Sequence, residues 1–328
     1  MEVFTEYRYL GNTGIKVSKL CFGSLTVGPL QENLPVEEGS EVIAEALNAG
    51  VNFIDTAQYY RTYKYIKRAV NLTGIVPVIA SKCFAYTRED AKAALFEALE
   101  GTGKDFIDIF MLHEQESEFT LKGHFEAVEY FLGAKAEGLI KAIGLSSHHI
   151  AAVEAAVQMP EIEIIHPLIN KNGMGIQDGD QEEMCGAIRK CSEKGKGIYA
   201  MKIFGGGHLL KEYGECLAYI ADIPEIDSIA IGMKNIDEVR FNIAHFNRIF
   251  DQPDTGKCFE IDTAQLEKLV SGKKLHIEEY CRNCGKCIEK CGFHALYLKD
   301  NQLNVNHNQC VLCGYCAGVC PYFALKVL

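Results

Sequence analysis

Two runs in the last fifty residues carry side chains spaced for metal chemistry. The first is Cys281-Arg-Asn-Cys284-Gly-Lys-Cys287-Ile-Glu-Lys-Cys291, and the second is Cys310-Val-Leu-Cys313-Gly-Tyr-Cys316-Ala-Gly-Val-Cys320-Pro321. Both follow C-x2-C-x2-C-x3-C. In that spacing, tight turns wrap three thiolates around an iron–sulfur cubane while the fourth reaches a neighbouring cluster. These runs hold eight of the 14 cysteines. The other six (Cys21, Cys83, Cys185, Cys191, Cys216 and Cys258) share no ligand spacing and read as ordinary buried or surface residues. Zinc is the alternative ligand, but zinc ribbons pair two short Cys or His elements across a longer loop, and two consecutive four-cysteine runs exceed what one tetrahedral site needs. Without a secretion signal, the crowding reads as metal binding before disulfides.

Residues 276–328 resemble the bacterial-type two-cluster ferredoxins. On that pattern Cys281, Cys284, Cys287 and Cys320 hold one 4Fe-4S cluster, and Cys310, Cys313, Cys316 and Cys291 hold the second. Gly292 stands where Pro321 follows the second run, a difference in turn rigidity that leaves the thiolates in place.

A second constellation depends on the elements that carry it. Short β-branched runs alternate with helical patterns, the mark of repeated βα units and a parallel sheet. Strands are predicted at Lys19–Gly23, Val51–Asp55, Val76–Lys82, Ile107–His113, Lys141–Ser146, Glu163–Asn170, Gly197–Ile203 and Ser228–Gly232. Eight units in about 250 residues suit a closed (β/α)8 barrel. A doubly wound dinucleotide fold would need G-x-G-x-x-G after an early strand, and neither Gly101-Thr-Gly103 nor Gly173-Met-Gly175 supplies it. No internal repeat or low-complexity tract stands out. Chemistry in such a barrel sits at the C-terminal strand ends. There the chain places Asp55, with Tyr60 in the following loop, then Lys82 and His113. Each alone has a structural reading as a cap or a solvent-facing residue; consecutive strands ending this way point to a site.

The segments Tyr9-Leu-Gly-Asn-Thr-Gly14, Phe53-Ile-Asp55-Thr-Ala-Gln-Tyr-Tyr60, Ile79-Ala-Ser-Lys82, Asp108-Ile-Phe-Met-Leu-His113, Ile143-Gly-Leu-Ser146-Ser147 and Gly232-Met-Lys-Asn235 resemble the aldo-keto reductases, in that family's order. The resemblance implies a catalytic tetrad of Asp55, Tyr60, Lys82 and His113. Tyr60 would be the general acid, its pKa lowered by Lys82, which Asp55 keeps charged; His113 would orient the carbonyl. It also implies a nicotinamide dinucleotide bound without a Rossmann turn, at Ser146, Ser147, His166, Asn170, Lys202, Gly232, Lys234, Asn235, Glu238 and Asn242. Lys234 suits the 2'-phosphate of NADP, whereas Glu238 favours NAD. His166 stands where many relatives have glutamine, Met201 where several have an aromatic ring, and the Gly205–Gly207 run is expected near the pyrophosphate.

The expected architecture is therefore an α/β (β/α)8 TIM barrel over 1–249, a connector with a short helix at 250–275, and a small α+β ferredoxin-like iron-sulfur domain over 276–328. Acidic side chains number 44 against 33 basic ones, a net charge of −11, which argues against nucleic acid as the main partner. No run approaches a membrane span, and Glu2, Glu6 and Arg8 sit where a leader would be apolar. A cytoplasmic protein without membrane partners is expected. Two readings stay open. One is an NAD(P)H-dependent reductase of a small carbonyl substrate, carrying an electron-transfer domain that meets an external ferredoxin or flavoprotein. The other is an electron-transfer or redox-sensing protein whose barrel only binds nucleotide.

Overall fold

The computed structural model describes residues 3–250 and 261–328. An antiparallel hairpin, β1 (Tyr7–Tyr9) and β2 (Lys16–Ser18), precedes eight parallel strands. These are β3 (Leu20–Gly23), β4 (Phe53–Asp55), β5 (Val78–Cys83), β6 (Ile107–Leu112), β7 (Ile140–Ser147), β8 (Ile164–Pro167), β9 (Gly197–Ala200) and β10 (Ser228–Gly232). They pair in sequence order, and β10 returns to β3, closing a barrel. This is the α/β barrel expected from the alternation of elements. The sixth and seventh strands are shorter than expected: Pro167 ends one ladder, and beyond it only the isolated Leu168–Met201 bridge continues the pairing.

Around the barrel run α1 (Val36–Asn48), α2 (Tyr63–Thr73), α3 (Arg88–Thr102), α4 (Glu118–Gly123), α5 (Phe125–Ala136), α6 (Ile150–Ala156), α7 (Gln181–Glu193), α8 (Tyr213–Ala221) and α9 (Ile236–Phe250). Their local signals are ordinary ones. Pro35 precedes the first turn of α1, while Asp180 caps α7 by accepting from the Glu182 and Glu183 amides. Strand alternation then sorts the core. Phe53, Ala80, Ile109, Met111, Ile164 and Tyr199 point inward, whereas Ile54, Ile79, Phe110 and Ile165 pack outward against the helices.

Of the expected connector, only the last part is described, with α10 (Thr263–Val270) capped by Asp262; Pro253, Gly256 and Cys258 lie outside the described residues. The C-terminal unit follows: β11 (Leu275–Ile277), α11 (Lys286–Lys290), β12 (Leu296–Lys299), β13 (Gln302–Val305), α12 (Tyr315–Gly318) and β14 (Leu325–Val327), with β11 paired to β14 and β12 to β13. The chain does contain an internal repeat, and it is written in the backbone. Asn283 and Leu312 both have positive φ, as do Gly285 and Gly314, and then His294 and Phe323. At matching places the amide of Ala295 donates to Cys291 Sγ and that of Ala324 to Cys320 Sγ, both at 3.4 Å. In the sequence the repeat shows as the shared cysteine spacing, since few other letters recur.

The second half of this repeat is pressed onto the barrel mouth. Phe323 is fully buried beside Leu168, and Leu325 accepts a hydrogen bond at 2.9 Å from the His208 ring. Gly207, at φ 92°, lies so close to the Val327 carbonyl that a Cβ there would collide with it. The Gly205–Gly207 run thus admits the chain's own last strand, where sequence reasoning had placed a pyrophosphate.

Candidate active site

The inward parity that places Phe53, Ala80 and Met111 in the barrel interior also sends Asp55, Lys82 and His113 into its mouth. Lys82 is completely buried and donates to Asp55 Oδ1 at 2.7 Å and to the Thr56 carbonyl at 2.8 Å. Asp55 also accepts from the Tyr199 hydroxyl at 2.9 Å, and His166 Nε2 stands 3.7 Å away. Burial pulls the Asp55 pKa up, but Lys82, then His166 and Tyr199, outweigh it and hold the carboxylate ionised. Burial lowers the Lys82 pKa against the opposing pull of Asp55.

Tyr60 lies in the 3-10 turn Gln58–Tyr60, with the Lys82 ammonium 4.8 Å from its ring centroid. Its pKa differs from the sequence-based expectation. Burial, followed by the charges of Asp55 and Glu114, pushes it well above 10, and Lys82 does not reverse this because it is turned toward Asp55. His113 is buried against Tyr60, with ring centroids 5.5 Å apart, while Phe84 stacks on it at 4.4 Å. Burial, then Lys82, lowers the His113 pKa to about 3, so the ring is neutral. Its Nδ1 has no hydrogen-bond partner, nor does Gln115 Oε1 or His148 Nε2. These orphaned polar atoms at the ends of β6 and β7 fit a polar ligand at the mouth.

A cavity of about 200 Å3 opens beside Tyr60 and Asp55. Of the ten positions expected to hold a dinucleotide, His166, Lys202, Gly232, Glu238 and Asn242 line it. The other five do not. Ser146 Oγ accepts from the Glu114 amide, Ser147 Oγ donates to the Gln115 carbonyl, and the Asn170 amide donates to the Met174 carbonyl. Lys234 pairs with Glu32 at 2.6 Å, and Asn235 caps α9 through the Glu238 amide. His166 stacks on Tyr199 at 3.8 Å and its Nδ1 meets the Tyr199 carbonyl, which leaves Nε2 turned to Asp55. Met201 also lines the cavity.

Sequence reasoning missed Tyr199, whose hydroxyl is the second anchor of Asp55. It also missed Leu266, Leu269 and Lys273 from α10 and its end, and Lys326 and Val327 from β14, all of which line the cavity. Nothing in a local motif signals these residues. They reach the site through packing between segments distant in sequence.

Cysteines of both runs pack into one cluster of the C-terminal unit. After burial, the charges that push the Cys287 thiol up to about 11 are Cys320, Cys281 and Cys284. Cys316 is pushed to about 12 by burial, then by Cys287, Cys313 and Cys310. None of the described cysteines is disulfide-bonded. Among the described residues, no three His, Cys, Asp or Glu side chains approach closely enough to hold one metal ion. Two runs of four thiols each, more than one tetrahedral ion needs, fit cubanes better than a single zinc.

A parallel barrel with an ion pair, a tyrosine and a neutral histidine at its C-terminal rim, joined to a cysteine-lined domain, defines a barrel oxidoreductase with an iron–sulfur unit. Residues 19–215 match the aldo/keto reductase family, and residues 280–324 match a 4Fe-4S dicluster domain. The chain belongs to the aldo/keto reductase family and is an NAD(P)H-dependent oxidoreductase. Among curated proteins it is similar to L-galactose dehydrogenase of Arabidopsis thaliana, 22% identical and covering 73% of this chain and 87% of that one. It is also similar to D-threo-aldose 1-dehydrogenase of a Pseudomonas species, 25% identical over 60% of this chain and 68% of that one. Among solved structures, an aldo-keto reductase from Pseudomonas aeruginosa superposes with a TM-score of 0.66 at 21% identity, covering 76% of this chain and 97% of the other. One from Bombyx mori, solved with NADP, gives 0.58 at 17% identity, over 82% and 93%. No described helix is long and apolar enough to cross a membrane.

Proposed function

We propose that the protein reduces the carbonyl of a small aldehyde or ketone, with Tyr60 as the proton donor. The observation that carries this reading is the buried Lys82–Asp55 pair, with the Lys82 ammonium over the Tyr60 ring and His113 in edge contact with that ring. NADPH or NADH, when bound, supplies the hydride. Tyr60 is protonated throughout the neutral range because its pKa is raised. It delivers its proton to an alkoxide, a stronger base than a phenolate, so the raised pKa is compatible with the reductive direction and opposes the oxidative one. Lys82 then stands close enough to stabilise the phenolate left behind. His113, neutral and immobilised by Phe84, directs a ring N–H at the carbonyl oxygen. His166, Gly232, Glu238 and Asn242 contact the dinucleotide along the cavity. The ion pair that Lys234 makes with Glu32 supports NADH, because a 2'-phosphate must displace that carboxylate; freed from it, Lys234 would read NADPH.

The eight cysteines hold two 4Fe-4S clusters: Cys281, Cys284, Cys287 and Cys320 around one, Cys310, Cys313, Cys316 and Cys291 around the other. A second reading, electron exchange between these clusters and the barrel site or an external redox partner, draws support from Tyr280. It immediately precedes Cys281, and its hydroxyl donates to the Phe323 carbonyl at 3.5 Å, in the half of the unit that packs on the mouth. The deciding experiment follows NADPH and NADH oxidation anaerobically with a panel of aldehydes, for wild type and Tyr60→Phe, while recording the iron–sulfur absorbance. Turnover lost in Tyr60→Phe without bleaching supports the reductase. Turnover retained by that variant refutes the role of Tyr60, and bleaching without aldehyde turnover favours electron exchange.

A further inference from the structure

The last strand does more than cover the mouth. Lys326 is 2% exposed, yet it lines the same cavity as Tyr60, Asp55 and Lys202. Its aliphatic stem crosses Gly206, where a Cβ would come within 2.8 Å of Lys326 Cδ. Its ammonium sits 3.2 Å from the Phe323 ring centroid and donates to the Phe323 carbonyl. A lysine tethered this way still has two N–H donors. Lys202, held at φ 62° just after β9, faces the cavity as well. No salt bridge joins either lysine to a carboxylate among the described residues, although Glu114 and Glu278 lie within electrostatic reach of Lys326. The two lysines share one cavity, and burial, then the charge of Lys202, lowers the Lys326 pKa well below its ordinary value. An anion placed between them would favour the charged form of Lys326.

The position of the pair indicates which anion this is. Both lysines line the cavity that Asp55, Tyr60 and His166 also line, whereas Lys234, the residue suited to the adenosine phosphate, does not line it and is turned to Glu32.

We propose that Lys326, contributed by the iron–sulfur domain, and Lys202, contributed by the barrel, form a composite anion site that selects carbonyl substrates bearing a carboxylate. This rests on the reductase reading above and names its substrate class. The same chemistry would suit the diphosphate of the dinucleotide, and the experiment separates the two. Aldehydes from glyoxylate to 4-carboxybenzaldehyde are each paired with their methyl esters, and kcat/KM is measured anaerobically on the holoenzyme. Equilibrium binding of the corresponding alcohols and of NADPH is measured alongside.

Wild type should prefer at least one free acid to its ester by about tenfold or more, the scale of one charge-assisted hydrogen bond. Lys326→Gln and Lys202→Gln should each remove most of that preference, and Lys326→Arg should retain part of it. Because Lys202 lies in a loop, its variant keeps the test valid if Lys326→Gln fails to fold. Equal binding of acids and esters by wild type, or no binding of either, overturns the proposal. So does a preference that survives both substitutions while NADPH binding weakens, which would give the pair to the diphosphate. If wild type turns over no aldehyde but still binds the carboxylated alcohols preferentially through the two lysines, the reductase reading fails and the anion site stands.

Discussion

Removing the Lys82 ammonium tests whether the site is held by its ion pair. In Lys82→Met the volume is nearly kept, but Asp55, 4% exposed, loses the partner at 2.7 Å and retains only the Tyr199 hydroxyl and a histidine 3.7 Å away. Breaking a buried pair on one side costs about 3–5 kcal/mol, because the remaining charge is uncompensated. At roughly 2–4 °C per kcal/mol for a domain of 150–250 residues, the barrel should melt about 6–20 °C lower. The sign with pH follows from Asp55. Its folded pKa is depressed in wild type, so the pair contributes stability above the unfolded carboxylate pKa and loses it as pH falls through the folded value. Without Lys82, burial dominates and the Asp55 pKa rises, so the variant's deficit narrows on acidification as the carboxyl protonates. Asp55→Asn in the Lys82→Met background removes the stranded charge and should recover at least half of the loss. Circular dichroism melts of the anaerobic holoenzyme at neutral and mildly acidic pH read all three proteins. A single variant within about 2 °C of wild type, or a double variant no better than the single, would refute the reasoning.

Four further outcomes are expected. The rate of carbonyl reduction should be flat between about pH 5 and 9, because His113, lowered to about 3, and Tyr60, raised above 10, both stay in one form there; a limb near 6.5 that disappears in His113→Asn would contradict this. Gly207→Ala should detach β14, since its Cβ meets the Val327 carbonyl. The chain has no tryptophan, so Phe323→Trp reports docking by fluorescence, and an unshifted emission in the double variant would count against the contact. Cys313→Ser and Cys284→Ser should each reduce bound iron to about half, consistent with one cubane per cysteine group; loss of all iron in both would mean that the groups are not independent. Finally, the cavity is smaller than the roughly 300–1,000 Å3 of typical ligand pockets. NADPH should therefore loosen the Lys274–Leu328 backbone pair beside it, seen as faster amide exchange at residues 274 and 328.

Much of the barrel was legible because strand periodicity and length carry it. Asp55, Lys82 and His113 could be found as strand ends, since parity along a strand fixes which side chains enter the mouth. Tyr60 depended on the short loop after Asp55. The anchoring of Asp55 by Tyr199 was not legible, because it joins residues 144 apart in sequence across the barrel. The direction of the Tyr60 pKa was misjudged for a related reason. Residue types suggested a lysine beside a phenol, but the geometry spends that lysine on a carboxylate and a carbonyl. The glycine run showed that the backbone needs close approach there, without showing what approaches.

The repeated backbone of the C-terminal unit bears on how such a domain can be acquired. Its two halves, offset by 29 residues from Cys281 to Cys310, follow one plan. Tyr297 and Leu298 of the first half are 44% and 49% exposed, while their counterparts Lys326 and Val327 are 2% and 4% exposed. A duplicated module can thus keep its cofactor cage untouched while one copy's final strand diverges to recognise a host enzyme. Its exposed twin remains free to drift or to meet another protein. Substitutions at 297 and 298 should be tolerated far better than at 326 and 327, although the two pairs hold equivalent places in the repeat.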